Sequence, residues 1–388
     1  MKGNIKIGNL FGIPFFVNPS WFFILGLVTW SYGSDLARIP AFSGATPWFL
    51  GFITAILLFS SVLAHELGHS FVAISQGIPV KSITLFIFGG LATLEKESET
   101  PWQAFSVAIA GPLVSILLFG IFALVNTNFA LSLPLAAIVA PIAYINLILA
   151  LFNMIPGLPL DGGNVLKAIV WKITGNPNKG VIFAGKAGQL VAWIAIAFGI
   201  LAIAGISQVG SFWTLLIGVF LLQNAGTATR SASVQDKLDQ YTAADAVIAD
   251  SPVVSSELSI RGFVNQYVIG QERWRKFLVT DSEQKLIGAI SSEDLKQIAT
   301  SQWNDIYLHE VVKPVPEVET ITASTSLLEV AKMIETKRLK ELVVLGEANN
   351  VIGLLEKSSI ANLMVKETKL ENKSAVKSVS EEEKVVAN

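Results

Sequence analysis

His65-Glu66-Leu67-Gly68-His69 sets two imidazoles four residues apart, with a carboxylate beside the first. On a helix, residues i and i+4 share a face, so both rings can reach one metal ion. Glu66 turns off that face and is available as a base. The motif lies within Trp48–Ile74, one of the most apolar stretches of the chain. Ionisable groups are costly in a bilayer core, and three together indicate a functional site more readily than a chance match. The chain has three His and no Cys. A disulfide framework and a thiolate metal site are therefore excluded, and a metal would take imidazole and carboxylate ligands.

A catalytic zinc takes three protein ligands and leaves a fourth position to water. The acids before Arg230 are few: Asp35, Glu66, Glu95, Glu97, Glu99 and Asp161. Asp35 is expected on the far side of the membrane, and Glu95, Glu97 and Glu99 alternate like a solvated strand end. Asp161 remains. It follows Asn153-Met-Ile-Pro156-Gly-Leu-Pro159-Leu, where Pro and Gly break a helix. Irregular backbone at membrane depth is tolerated only where it is buried or lines a cavity. The plainer reading of Asp161 is an N-cap for the amphipathic segment that follows, a geometry that would also aim its carboxylate. Zinc at such a site polarises a carbonyl and activates water, and Glu66 can pass the water's proton to a leaving amine. That combination hydrolyses peptide bonds. Asn153 could donate to the developing oxyanion, or could simply be a polar helix terminus.

The elements that must hold these groups are membrane-like. The 388 residues are 52% hydrophobic, with mean hydropathy +0.57. Of 30 acidic residues, six precede Arg230 and 24 follow it. A bilayer core needs about 20 apolar residues per helix, and the sequence predicts spans near 14–33, 48–75, 102–125, 134–153, 187–206 and 212–228. Lys2, Lys6, Lys81, Lys96, Lys167, Lys172, Lys179, Lys186 and Arg230 then share one side, and only Arg38 falls opposite. The positive-inside rule places both termini in the cytoplasm of a multi-pass cell-membrane protein. The first span lacks a small-residue cleavage site and reads as a retained anchor. The net charge of −2 and the lack of a basic aromatic cluster give no sign of nucleic-acid binding.

Ala64-His65-Glu66-Leu67-Gly68-His69, the Asn153…Leu160-Asp161-Gly162 segment and the six spans resemble the site-2 protease family of intramembrane zinc metalloproteases (M50 type), over residues 1–228. The resemblance implies that His65, His69 and Asp161 bind one zinc per chain, Glu66 is the catalytic base and Asn153 stabilises the tetrahedral intermediate. Many relatives carry a His near the start of span 1, where this chain has Asn18. Ser82–Leu94 is β-like, and Gly89-Gly90 permit a bulge or close backbone approach. In the family, the corresponding strand resembles a docking edge for unwound substrate; a membrane-surface hairpin is the alternative. Gly111-Pro112 with Ser115 matches a family motif whose expected role is close helix packing. The implied substrates are single-span membrane proteins.

After the expected linker at 229–240 the pattern becomes that of a soluble α/β protein. Strand-like Arg275–Thr280 and Gln284–Ile290 precede Ser291-Ser-Glu-Asp294. The order recurs with a helix at Leu327–Thr336, strands Glu341–Leu345 and Val351–Leu355, and a helix from Ser358. The internal repeat resembles a tandem of cystathionine-β-synthase (CBS) domains, at 241–300 and 301–365. In such pairs a Ser/Thr-x-x-Asp holds a ribose, so the resemblance implies an adenine nucleotide at Ser291 and Asp294, and a homodimer through the pair. Helix capping is the simpler reading of those two residues; the second repeat has Glu356 and Ser359 instead. His309 is expected as an isolated surface residue, and 366–388 as a disordered tail. The competing function is a CBS-gated ion transporter or channel, whose pathway would use the same residues. The Glu between the His argues against it, since a pathway needs no base there.

Overall fold

A computed structural model of the chain describes residues 3–87, 89–248, 251–269, 276–291, 293–316 and 319–366. It forms two compact units, Met1–Ser233 and Val234–Asn388.

The first unit is helical, with one small sheet. Five helices are long and apolar enough to cross a membrane: α2 (Thr46–Ser75), α3 (Pro101–Asn128), α4 (Leu133–Asn153), α6 (Pro177–Ile203) and α7 (Phe212–Asp239). α1 (Ser20–Leu36) has 17 residues, the lower end of spanning length. Its expected start at residue 14 is corrected: Ile13–Val17 is a strand. Aromatic and β-branched residues there fit a pleated surface, and Pro14 would not sit within a helix. Asn18 closes the turn into α1, its Oδ1 accepting the Ser20 N–H at 3.0 Å.

The sheet runs β1 (Ile5–Leu10), β2 (Ile13–Val17), β3 (Val80–Phe86) and β4 (Gly89–Leu94), in that order. β2 pairs parallel with β3 and β4 antiparallel with β3, leaving β4 as an edge. Between α4 and α6 lies α5 (Asp161–Thr174), a 14-residue helix that ends on Gly175 in the left-handed conformation. α6 starts ten residues before the expected span, so Lys179 and Lys186 lie on its first turns rather than in a loop. Long basic side chains can keep their charge near the interface from such positions.

The second unit carries two three-stranded sheets of one topology. β5 (Val253–Ser255) runs parallel to β6 (Lys276–Thr280), which is antiparallel to β7 (Leu286–Ser291). β8 (Thr320–Thr322), β9 (Glu341–Leu345) and β10 (Val351–Glu356) repeat the arrangement. The sequence repeat and the packing do not coincide. Ala243 and Ala246, from the start of the first repeat, are buried with Leu327, Val330 and Leu355 of the second. Leu308, from the start of the second, is buried with Phe263 and Phe277 of the first. Leu278, Ala289, Val343 and Leu354 form a core shared by the two sheets. Residues 229–239, expected as a linker, are the last turns of α7. The expected tail beyond residue 366 lies outside the described residues.

Candidate metal centre

α2 carries His65 and His69 on its buried side, 3% and 9% exposed. Their Nε2 atoms lie 3.3 Å apart. The Asp161 Oδ2 approaches to 3.0 Å from His65 Nε2 and 3.3 Å from His69 Nε2. These three ligand atoms form the one cluster of three or more His, Cys, Asp or Glu groups among the described residues that could hold a metal ion.

The partners on the far side of each ring fix the rings and indicate what the centre wants. His69 Nδ1 lies 2.6 Å from the Val107 carbonyl, which can only accept, so Nδ1 carries the proton. A neutral His69 then turns the lone pair of Nε2 inward. His65 Nδ1 is 2.9 Å from the Ser115 hydroxyl. With both Nδ1 protonated, two imidazole lone pairs and a carboxylate oxygen converge on one point. Such a set repels itself unless a cation lies between, and it is the donor set of a hydrolytic zinc site. The residues fit the ion.

Small residues on α3 make the approach possible. A Cβ on Gly111 would collide with the His69 Nε2 and stand 2.6 Å from the His65 Nε2. Gly111, Pro112 and Ser115 are all buried. Pro112 has no N–H for the helix ladder, close to the turn where the Val107 carbonyl meets His69. Packing was the expected role of this motif. Ser115 does more, because it holds the His65 ring. A Ser one turn beyond a buried Gly-Pro was the available sequence signal, but the partner 50 residues away was not legible.

Asp161 is the first residue of α5. The cap position belongs to Leu160, and no side chain caps the helix. The capping reading of Asp161 therefore gives way to a carboxylate directed at the imidazoles. The loop behind it is fastened to α6 by the Leu158 N–H on the Ala184 carbonyl, 3.1 Å.

Glu66 faces β4. Its Oε2 accepts the Ala92 N–H at 3.1 Å. Ala92 is on the edge strand, so this is backbone that β3 does not use. A Cβ on Gly90 would collide with the Glu66 side chain, which explains one of the two glycines. Gly89 has φ +133, a conformation open to glycine. Gly89, Gly90, Glu66, Asn153 and the three metal-site residues line one cavity of about 920 Å³, with Trp213 and Leu221 of α7 on another wall.

In the second unit, Ser291 and Asp294 line a separate cleft of about 400 Å³ with Lys276, Lys296 and Lys313. The Asp294 carboxylate is already engaged. Its Oδ2 accepts the Ser291 N–H at 2.8 Å and the Ser291 hydroxyl at 2.6 Å, and its Oδ1 accepts from Lys313. The Lys313 and Ser291 hydrogen bonds hold its carboxyl down at about 2. A second cleft, of about 500 Å³, holds Glu356 and Ser359. His309 is not isolated: its Nδ1 lies 3.2 Å from the Ser256 carbonyl.

The model of peptidase family M50 matches residues 53–133 and 120–195, and that of the CBS domain matches 308–366. A Synechocystis sp. protein named as a zinc metalloprotease is 57% identical over 93% of this chain and 95% of its own length. Rip3 of Mycobacterium tuberculosis, also named as a zinc metalloprotease, is 31% identical over 94% of this chain and 93% of its own. Among solved structures, a site-2 protease from Methanocaldococcus jannaschii aligns with TM-score 0.44 and 28% identity, covering 58% of this chain and 95% of that one.

Proposed function

The chain belongs to peptidase family M50, the site-2 protease family, and on that premise we propose that it is an intramembrane zinc endopeptidase cutting membrane-anchored proteins, with a CBS pair attached. The convergence of His65 Nε2, His69 Nε2 and Asp161 Oδ2 carries this reading. Zinc, when bound there, supplies Lewis acidity toward the scissile carbonyl and toward water. The remaining work falls to the chain. Ser115 holds the ring of His65 and the Val107 carbonyl that of His69, so that their lone pairs stay inward. Glu66 takes the proton of the attacking water and delivers it to the leaving nitrogen. Asn153, on the same cavity wall, donates to the carbonyl oxygen as it gains charge.

Substrate binds by strand addition to β4. The Ala92 N–H donates to Glu66, which supports this reading: a strand paired at that edge would bring its carbonyls beside Glu66. A helix must unwind to do so, which selects single-span substrates with weak helical propensity near the cut. Both termini are assigned to the cytoplasm, a side that the distribution of basic residues supports. The CBS pair takes an adenine nucleotide in the Ser291–Asp294 cleft and joins two copies of the chain. The lysines of that cleft would suit its phosphates.

The test is Glu66→Gln in the purified full chain, assayed in detergent on a single-span substrate with bound zinc measured in parallel. Retained zinc with cleavage abolished is the expected result. Unchanged cleavage would eliminate the protease.

A further inference from the structure

Ser61 and Asn146 lie outside the metal centre, and nothing in the chemistry above uses them. Asn146 is fully enclosed and Ser61 is 4% exposed. The Asn146 amide donates to the Ser61 hydroxyl across the α2–α4 contact at 3.0 Å, and to the Ile142 carbonyl of its own helix at 2.9 Å. Its Oδ1 is buried without a partner. A half-satisfied amide in an apolar interior costs free energy, so its presence calls for a compensating role.

Placement supplies one. Ser61 is one turn before His65 on α2. Ile142, Asn146 and Ala150 form the buried stripe of α4, and three residues further along that stripe stands Asn153. Nearby, α2 and α4 meet through apolar groups: Val62 and Leu149 belong to one cluster. Apolar helix contacts within lipid tolerate sliding and rotation, whereas a buried hydrogen-bonded polar pair selects one register. A slip of one residue would turn Asn153 by about 100° and shift it by about 1.5 Å. Among the described residues, no hydrogen bond of its own holds the Asn153 side chain. Its direction is set by the helix that carries it.

We propose that Ser61 and Asn146 are a positioning pair, a pin that fixes the register of α4 against α2 so that the Asn153 amide meets the oxyanion. The proposal rests on the oxyanion role given to Asn153 above, and the test separates the two. Asn146→Leu, Asn153→Ala, the double variant and the reciprocal exchange Ser61→Asn with Asn146→Ser are assayed as full-length protein on one single-span substrate. Asn146→Leu is expected to lower kcat about 10- to 100-fold, the scale of an ångström-sized misplacement, with KM and bound zinc within about twofold. The double variant should be no slower than Asn153→Ala alone, because both changes act through one group. The exchange should recover most of the loss. If Asn153→Ala slows the reaction and the two losses multiply, the pin is wrong and the oxyanion role survives. If Asn153→Ala leaves kcat unchanged, both are wrong. An unchanged kcat in Asn146→Leu, or zinc lost in step with activity, also overturns the pin.

Discussion

Asp161 and Asp294 each begin a short helical segment just after a break in regular structure, and the chain uses them in opposite ways. Asp161 leaves the cap of α5 unfilled and turns its carboxylate to two buried imidazoles. Asp294 spends both oxygens on neighbours, the Ser291 N–H and hydroxyl and the Lys313 ammonium. One carboxylate faces two imidazoles in a group that could hold a cation; the other is paired with an ammonium. Among the described residues the first carboxylate meets only the two imidazoles, whereas a ligand of the second must compete with bonds already made. Residue type alone does not separate these two carboxylates; their partners do.

The difference can be broken at several points. Gly111→Ala should have the broadest effect, on metal content and activity together, since the new Cβ would stand against both imidazoles. Bound zinc and cleavage should both fall below about one-tenth of wild type, at least the affinity loss typical of disturbed metal sites; elemental analysis beside a cleavage assay decides it. Glu66→Gln should lower kcat by about 10²- to 10⁴-fold, the usual worth of a general base, while zinc remains. Ser115→Ala removes the partner of His65 Nδ1. Zinc affinity should weaken about 10- to 100-fold, measurable by competition with a chelator; unchanged affinity would return Ser115 to a packing role.

The mildest change lies in the second unit. Asp294→Asn should leave cleavage unaltered and cost about 1 kcal/mol of that unit's stability through its bonds to Ser291 and Lys313. Its pH dependence follows from the carboxyl held at about 2, below the ordinary value near 3.9. A depressed carboxyl stabilises fully above the unfolded value and loses that contribution as pH falls through the folded one. Melting temperatures of wild type and variant should therefore differ at neutral pH and converge between about pH 4 and 2.

The candidate metal centre was more legible than the fold around it. His65, Glu66, His69 and Asp161 stand out because ionisable side chains are scarce in apolar sequence, so a simple search finds them. What fixes them was hidden. The Val107 carbonyl has no side-chain signature, and Ser115 looks like any small packing residue. Helix existence was plain from apolar run length, but α6 begins ten residues earlier than its apolar core because Lys179 and Lys186 break the run without breaking the helix. β5 and β8, three residues each, are too short for alternation to show. The exchange of leading segments between the two repeats is a tertiary choice, made by Ala243 and Leu308 in distant cores, and no local pattern encodes it.

Metal content of the purified full chain tests the central claim most directly. Elemental analysis of active wild-type protein should give one zinc per chain, and Asp161→Ala should give far less with cleavage lost alongside. Active protein free of stoichiometric divalent metal, or an Asp161→Ala variant that keeps both its zinc and its activity, would contradict a centre built on His65, His69 and Asp161.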